Sequence, residues 1–307
     1  MIDTIDFVTT DEAARSWKYI IPQENIRQVD EHSFLGRIKN MIIKENIGGV
    51  EIIGSPAKYL QDENISTFTR ELYIKSLQKL ENDTGIDLHN GFLRRADIGK
   101  NIITEHLASE YMNLFRPIPR YNLIPTLNMD GLKQILYKTN TGALEFAVYD
   151  KIKEMTEKHK EERIPDFYKD CNVLRVEYRI TKRQSIKSKL GNGADVTPWE
   201  LAEENKYKEF KKQFIDFYNS IPKNGRRVFV DGGEEITPKD LIDILAESYR
   251  QSRPQDYRAL IQQLRERGKL SDKSLERIRE HEKKCRKNFT ISDTNDLIIE
   301  LDQIMQL

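Results

Sequence analysis

The sequence predicts an α+β fold: a mainly antiparallel sheet with flanking helices over residues 1–191, followed by an all-helical region over 196–307. Three observations predict it. Short β-branched runs with a two-residue apolar period recur through the first two-thirds of the chain. A turn-rich segment, Lys138–Gly142, separates two apolar runs as a β-hairpin would. Beyond Gly191-Asn192-Gly193 the strand patterns stop and helix-start signatures take over.

The elements follow in order. Met1–Thr9 places Ile2, Ile5 and Phe7 among polar residues, the pattern of a half-buried strand. Gly48–Gly54 is a β-branched run bracketed by glycines, a second strand. Ser66–Leu80 carries Phe68, Leu72, Ile74, Leu77 and Leu80 at roughly helical spacing. Phe92–Ile98 reads as a strand and Ile102–Phe115 as a helix with Ile102, Leu107, Tyr111 and Leu114 near one face. The hairpin strands are Leu132–Tyr137 and Ala143–Tyr149; the charged stretch Asp150–Arg163 follows and Pro165 ends it. Val173–Thr181 alternates cleanly, with Val173, Arg175, Glu177 and Arg179 on one face and Leu174, Val176, Tyr178 and Ile180 on the other. Thr197-Pro198 with Glu200 starts a helix that runs to Tyr218. Thr237-Pro238 repeats the signature before Lys239–Arg250, and helices are expected over Gln255–Gly268 and Ser271–Asn288.

Composition narrows the function classes. At 307 residues with 38% hydrophobic and 33% charged residues, the chain reads as a soluble globular protein with room for one large or two ordinary domains. No apolar run approaches the ~18–20 residues that span a bilayer, and the N-terminus lacks a secretory pattern, so a cytoplasmic protein without membrane contact is expected. Cys171 and Cys285 suit a reducing compartment. Net charge is zero, but Tyr249–Asn288 holds thirteen Lys/Arg against six Asp/Glu, a local excess of seven. The chain carries no P-loop, His-x-His, GxSxG or HExxH sequence, and His281 with Cys285 supplies only two zinc donors.

Three strands each contain a carboxylate in an apolar or basic setting: Glu51, Asp97 and Glu177. Acids from neighbouring strands can converge on one sheet face and hold a hard divalent cation. Read singly, each is equally a solvent-facing strand residue paired to a nearby arginine. Tyr149 closes the hairpin's second strand directly before Asp150 and Lys151. Its phenol is a poor nucleophile at neutral pH, with an unperturbed pKa of about 10, unless a metal or a lysine such as Lys151 assists. By itself Tyr149 is also an ordinary strand-end packing residue. His89, in the loop before the Asp97 strand, is a loop histidine that could serve as ligand or base.

Five segments, in order, resemble the conserved blocks of the filamentous-phage gene II replication proteins, relatives of the tyrosine-dependent rolling-circle initiators. They are MIDTI (Met1–Ile5), VEIIGSPAKYLQDENI (Val50–Ile65), LRRADI (Leu93–Ile98), FAVYDKIKEM (Phe146–Met155) and LRVEYRITKR (Leu174–Arg183). The resemblance covers residues 1 to about 190, and SPAKYLQ is its most specific stretch. It implies a nuclease domain over 1–191 that nicks one strand of double-stranded replicative-form DNA at an origin. The Tyr149 oxygen would form a 5′-phosphotyrosyl link, and the displaced strand would later be rejoined. It further implies Mg²⁺ or Mn²⁺ held by Glu51, Asp97 and Glu177, with Lys151 assisting the nucleophile. Lys58, Arg95, Arg175, Lys182 and Arg183 would contact DNA, and a host helicase and polymerase would be partners. One strand departs from the family pattern, which more typically reads Arg-hydrophobic-Asp followed by another β-former; here it is Arg95-Ala96-Asp97-Ile98-Gly99. The alternative is an origin-binding replication protein that recruits host factors without cutting.

Overall fold

The structure is a computed structural model that describes residues 1–128, 131–158, 164–223, 226–230, 242–243, 246, 250, 254–293 and 295–306. Only the backbone is described at 128, 131, 226–230, 254–255, 281–293 and 295. The chain forms two compact units, Met1–Lys223 with Ile299–Leu307, and Asn224–Ile298.

The first unit is built on a ten-stranded sheet, antiparallel at every pairing. Its strands are β1 (Ile2–Thr9), β2 (Ile26–Asp30), β3 (Ser33–Ile38), β4 (Met41–Asn46), β5 (Gly49–Gly54), β6 (Phe92–Thr104), β7 (Tyr121–Asn128), β8 (Gly131–Thr139), β9 (Leu144–Asp150) and β10 (Asn172–Ile180). In space the order is β2-β3-β4-β5-β1-β6-β10-β9-β8-β7. Two meanders, β2–β5 and β7–β9, thus flank the long-range trio β1, β6 and β10. The helices of this unit are α1 (Pro56–Gln61), α2 (Arg70–Thr84), α3 (Ala108–Met112), α4 (Lys151–Glu157), α5 (Arg183–Leu190), α6 (Pro198–Ala202) and α7 (Glu204–Ser220).

Because side chains alternate along a strand, the sheet has two chemically distinct faces. One is apolar: Ile98, Tyr178 and Phe146 lie in register across β6, β10 and β9, with Tyr137 on β8, and all four are buried. The aromatic stripe of α7 covers it. Phe146 meets Phe217 at 4.8 Å and Phe214 at 6.1 Å between ring centres, and Tyr178 meets Phe210 at 6.2 Å. α7 follows α6, which opens as its sequence predicts: Pro198 takes the first turn, and Thr197 and Glu200 form a reciprocal capping box. The opposite face carries the charges described below.

Several expectations change at this level. The helix expected over Ile102–Phe115 is mostly absent, because β6 continues to Thr104, paired with Asn172–Arg175 of β10, and only Ala108–Met112 is helical. Backbone pairing with a central strand overrides the helical spacing of four side chains. The second unit holds α8 (Pro254–Glu266) and α9 (Asp272–Asn288), as expected, but also a strand pair, β11 (Arg226–Val230) with β12 (Phe289–Asp293). A last helix, α10 (Asn295–Gln306), contributes its residues from Ile299 to the first unit, where Asp302 accepts from Tyr218 at 2.5 Å. Most of the helix expected over Lys239–Arg250, and the side chains of His281 and Cys285, lie outside the described residues.

Phe146 is enclosed by α7 on one side and by Tyr137 and Tyr178 on its own sheet. Phe146→Ala should therefore cost about 3–5 kcal/mol, read as a lowered urea midpoint; an unchanged midpoint would mean that α7 does not seal this face.

Candidate active site

The charged face is organised by β10. Its period-two run Arg175-x-Glu177-x-Arg179 points away from α7, and register fixes the neighbours. Arg175 lies opposite Asn101 and Tyr149, Glu177 opposite Gly99 and Ala147, and Arg179 opposite Asp97 and Glu145. Tyr149, Asp97 and Glu177 therefore share one face, on three adjacent strands. The two residues flanking Glu177 are the smallest available, and this explains Gly99. A β-carbon there would stand 3.0 Å from Glu177 Cγ and 3.3 Å from Arg175 Nη2. The absence of a side chain at Gly99 clears the space into which Glu177 and Arg175 fold.

Glu177 is the hub. Tyr149 Oη donates to its Oε1 at 2.7 Å, Arg175 Nε donates to the same oxygen at 2.5 Å, and Arg179 Nη2 and Nε donate to Oε2 at 2.5 and 2.9 Å. Asp97, beside it on β6, is gripped by the Arg95 fork at 2.7–3.1 Å. Arg175 is wholly enclosed: beyond Glu177 it pairs with Asp3 Oδ1 at 2.8 Å, and its Nη1 donates to Asn101 Oδ1 and to the backbone oxygen of Asn64. Asn64 Nδ2 in turn donates to Asp3 at 2.7 Å, so the loop after α1 is pinned over this end of the sheet. On the outer side Arg179 reaches Glu145 at 3.5 Å, and Glu145 pairs with Lys138 at 2.8 Å.

The electrostatics follow from burial and pairing. Burial raises the Asp97 carboxyl to about 7 against the opposing Arg95 fork, and the neighbouring Glu177 charge adds to the rise. Glu177 is equally buried, yet Arg175 and Arg179 hold it well below the usual carboxylate range. Tyr149 is pushed well above 10 by burial first and by the Glu177 charge second.

Other sequence candidates lie elsewhere. Glu51 is on the same face but opposite Val8, which pairs with Phe92 at the far end of β6. It is roughly 15 Å from Asp97 by strand spacing and rise, and it forms ion pairs with Arg94 and Lys44 instead. Lys151 is buried at the start of α4, with Asp150 as the capping residue, and its Nζ pairs with Glu154 at 2.8 Å. Burial and then Arg175 lower its pKa. Lys58 and Lys151 line one cavity of about 20 Å³ with Asn64 and Glu154. Lys182 and Arg183 are exposed at the start of α5, beyond the end of β10; Arg183 pairs with Asp195 at 2.7 Å and stacks on Phe92. Sequence reasoning did not single out Asp3, Asn64, Asn101, Glu145 or Arg179; of these only Arg179 carried a signal, its place in the alternating β10 run.

Among the described residues one group of three metal-donor side chains has its donor atoms within 4.8 Å: Glu81, Asp87 and His89. It lies at the end of α2 and in the loop before β6. His89 stacks on Trp199 at 5.0 Å, and Glu81 accepts from Trp199 Nε1 at 2.8 Å. None of the three contacts Asp97, Glu177 or Tyr149.

A wide antiparallel sheet with a tyrosine and two buried acids on one face defines the class as an α+β protein with a polar, solvent-bordered site. Residues 6–201 match the family described as the N-terminal part of the gene II replication-associated protein, and the chain belongs to this family of replication initiators. No curated protein matches the chain. Among solved structures it is similar to the rolling circle replication initiator protein from Geobacillus stearothermophilus, at 7% identity and a TM-score of 0.32, over 59% of this chain and 74% of that one.

Asp97 supplies a pH test. Its unfolded pKa is about 3.9 and its folded value about 7. The folded state therefore binds the proton more tightly, and this stabilisation is lost as pH rises from about 4 to about 7. Asp97→Asn cannot titrate, so its stability relative to the parent should improve by about 2–4 kcal/mol across that window. Denaturation curves at the two ends check it, and a constant difference would contradict the raised pKa.

Proposed function

We propose that the protein nicks one strand of double-stranded DNA at a replication origin, with Tyr149 as nucleophile. The observation that carries this reading is the 2.7 Å bond from Tyr149 Oη to Glu177, on the face that also holds Asp97. The phenol oxygen forms a bond to phosphorus while the bond from phosphorus to the 3′ oxygen breaks. The phenol proton leaves toward Glu177 Oε1, and the departing 3′ oxygen takes up a proton to become the hydroxyl that a host polymerase extends. The phosphodiester energy stays in the 5′-phosphotyrosyl bond, so a later attack by a 3′ hydroxyl rejoins the strand without a nucleotide cofactor.

Asp97 and Glu177 fit a hard divalent cation: they are two buried carboxylates on adjacent strands, and Asp97 is raised partly because Glu177 lies beside it. They would hold Mg²⁺ or Mn²⁺, which supplies Lewis-acid stabilisation of charge on the phosphate oxygens. Glu51, roughly 15 Å away, is assigned to the charge pairing around Arg94 and Lys44. Arg175, with no exposed surface, positions Glu177 and the Asn64 loop. Lys151 contributes positive potential two residues beyond the phenol. Lys58, Arg95, Lys182 and Arg183 are the proposed phosphate contacts, with a host helicase as further partner and the bacterial cytoplasm as location.

One observation favours the non-cutting alternative. As folded here, both cluster carboxylates are saturated by arginine, and the phenol is held protonated. The test is supercoiled origin DNA with Mg²⁺. The parent should give relaxed circles with protein on a 5′ end, and Tyr149→Phe should bind the DNA equally while its nicking falls by at least about 10³-fold. Equal nicking by the variant rejects the nucleophile, and an intact plasmid with the parent favours the origin-binding reading.

A further inference from the structure

The arginines that saturate the two acids differ in one respect. Arg175 is fully enclosed: it donates to Glu177, Asn101 and the Asn64 backbone and forms an ion pair with Asp3, and it has no exposed surface from which to reach a phosphate. Arg95 and Arg179 are 37% and 20% exposed, whereas the carboxylates beneath them, Asp97 and Glu177, are 2% and 4% exposed. These two guanidinium groups therefore lie between the acids and solvent, and each grips its acid with a fork. A planar fork that fits a carboxylate fits a phosphodiester equally well.

The charge count sharpens this. Asp3, Glu145 and Glu177 are matched by Arg175, Arg179 and Lys138 in one connected set of ion pairs, and Asp97 is matched by Arg95 in a separate pair on the next strand. With Asp97 ionised, these groups are thus neutral with nothing bound. A divalent cation placed on Asp97 and Glu177 leaves two uncompensated positive charges in a poorly solvated place. A DNA phosphate removes one of them, and the phenolate that forms on Tyr149 removes the other.

We propose that Arg95 and Arg179 are exchangeable counter-ions: they occupy Asp97 and Glu177 in the free protein and transfer to the DNA backbone when a cation takes the acids, so that cation and DNA bind cooperatively. This rests on the reading of Asp97 and Glu177 as cation ligands. The free protein then binds Mg²⁺ or Mn²⁺ poorly and assembles its site only on DNA. By linkage, cation and DNA strengthen each other's binding by the same factor.

The experiment measures Mn²⁺ affinity from the resonance of free Mn²⁺, in the full-length Tyr149→Phe protein so that DNA is not cut, with and without a single-stranded origin oligonucleotide. Without DNA, Arg95→Gln and Arg179→Gln should each bind Mn²⁺ about tenfold tighter than the parent, since a like charge a few ångströms away has gone. The oligonucleotide should tighten Mn²⁺ binding by the parent, and should do so much less for the double variant Arg95→Gln/Arg179→Gln. A merely structural role for the arginines predicts weaker Mn²⁺ binding instead. If the arginine variants bind Mn²⁺ no tighter while Glu177→Gln abolishes binding, the exchange is overturned and the acids remain the ligands. If Glu177→Gln binds Mn²⁺ like the parent, the ligand assignment itself is overturned.

Discussion

A buried carboxylate must be neutralised, and this requirement shapes the charged face of the sheet. Asp97 and Glu177 lie beneath the surface on neighbouring strands, where two unpaired negative charges cannot persist. The fold answers with arginines supplied at period two along the strands. Arg175 and Arg179 bracket Glu177 on its own strand, and Arg95 brackets Asp97 on β6. The cluster is assembled by strand register, and a one-residue slip of β10 would turn all three of its charged residues into the aromatic core.

The same alternation makes the opposite face apolar, which lets a single helix, α7, seal the centre of the sheet. Rigidity on that side matters for the other. Tyr149 and Phe146 belong to one seven-residue strand, so the packing of Phe146 against Phe217 helps set the height and direction from which Tyr149 reaches Glu177. At the far end of the cluster the Asn64 loop closes over Arg175 through backbone oxygen and side-chain amide. The VEIIGSPAKYLQDENI segment, whose sequence stands out, therefore contributes its tail to the site and places Glu51 elsewhere.

The central strands were legible from local signals: apolar residues spaced among polar ones in Ile2–Thr9, a β-branched run between glycines in Gly49–Gly54, and clean alternation in Asn172–Ile180. The strands at the margins were not. Of β2, Arg27, Gln28, Val29 and Asp30 are all exposed, so no burial pattern marks it, and its existence depends on pairing with β3. Ile102, Leu107, Tyr111 and Leu114 have helical spacing and only Tyr111 lies in α3, because β6 ahead of it is held by nine consecutive pairs to β10, a long-range fact absent from any local window. Tyr149, Asp97 and Glu177 could be picked out along the chain, yet only register shows that they are neighbours and that Glu51 is not. The space that Gly99 leaves for Glu177 and Arg175 is likewise visible only across strands.

Proximity in such a cluster does not by itself make a reactive group. The contacts that bring Tyr149 to Glu177 also keep its proton in place, since a phenol beside a fixed negative charge in a dry setting resists ionisation. Glu177 is at the same time a weak base, because Arg175 and Arg179 stabilise its charged form. Both groups are thus held in their resting ionisation states by the pairing that lets the acids be buried. For the phenol to become a nucleophile, positive charge has to shift from the carboxylates toward the phenol oxygen and the phosphate it attacks. Among the cations around the cluster, Arg95 and Arg179 border solvent beside the acids, and Arg175, wholly enclosed, does not.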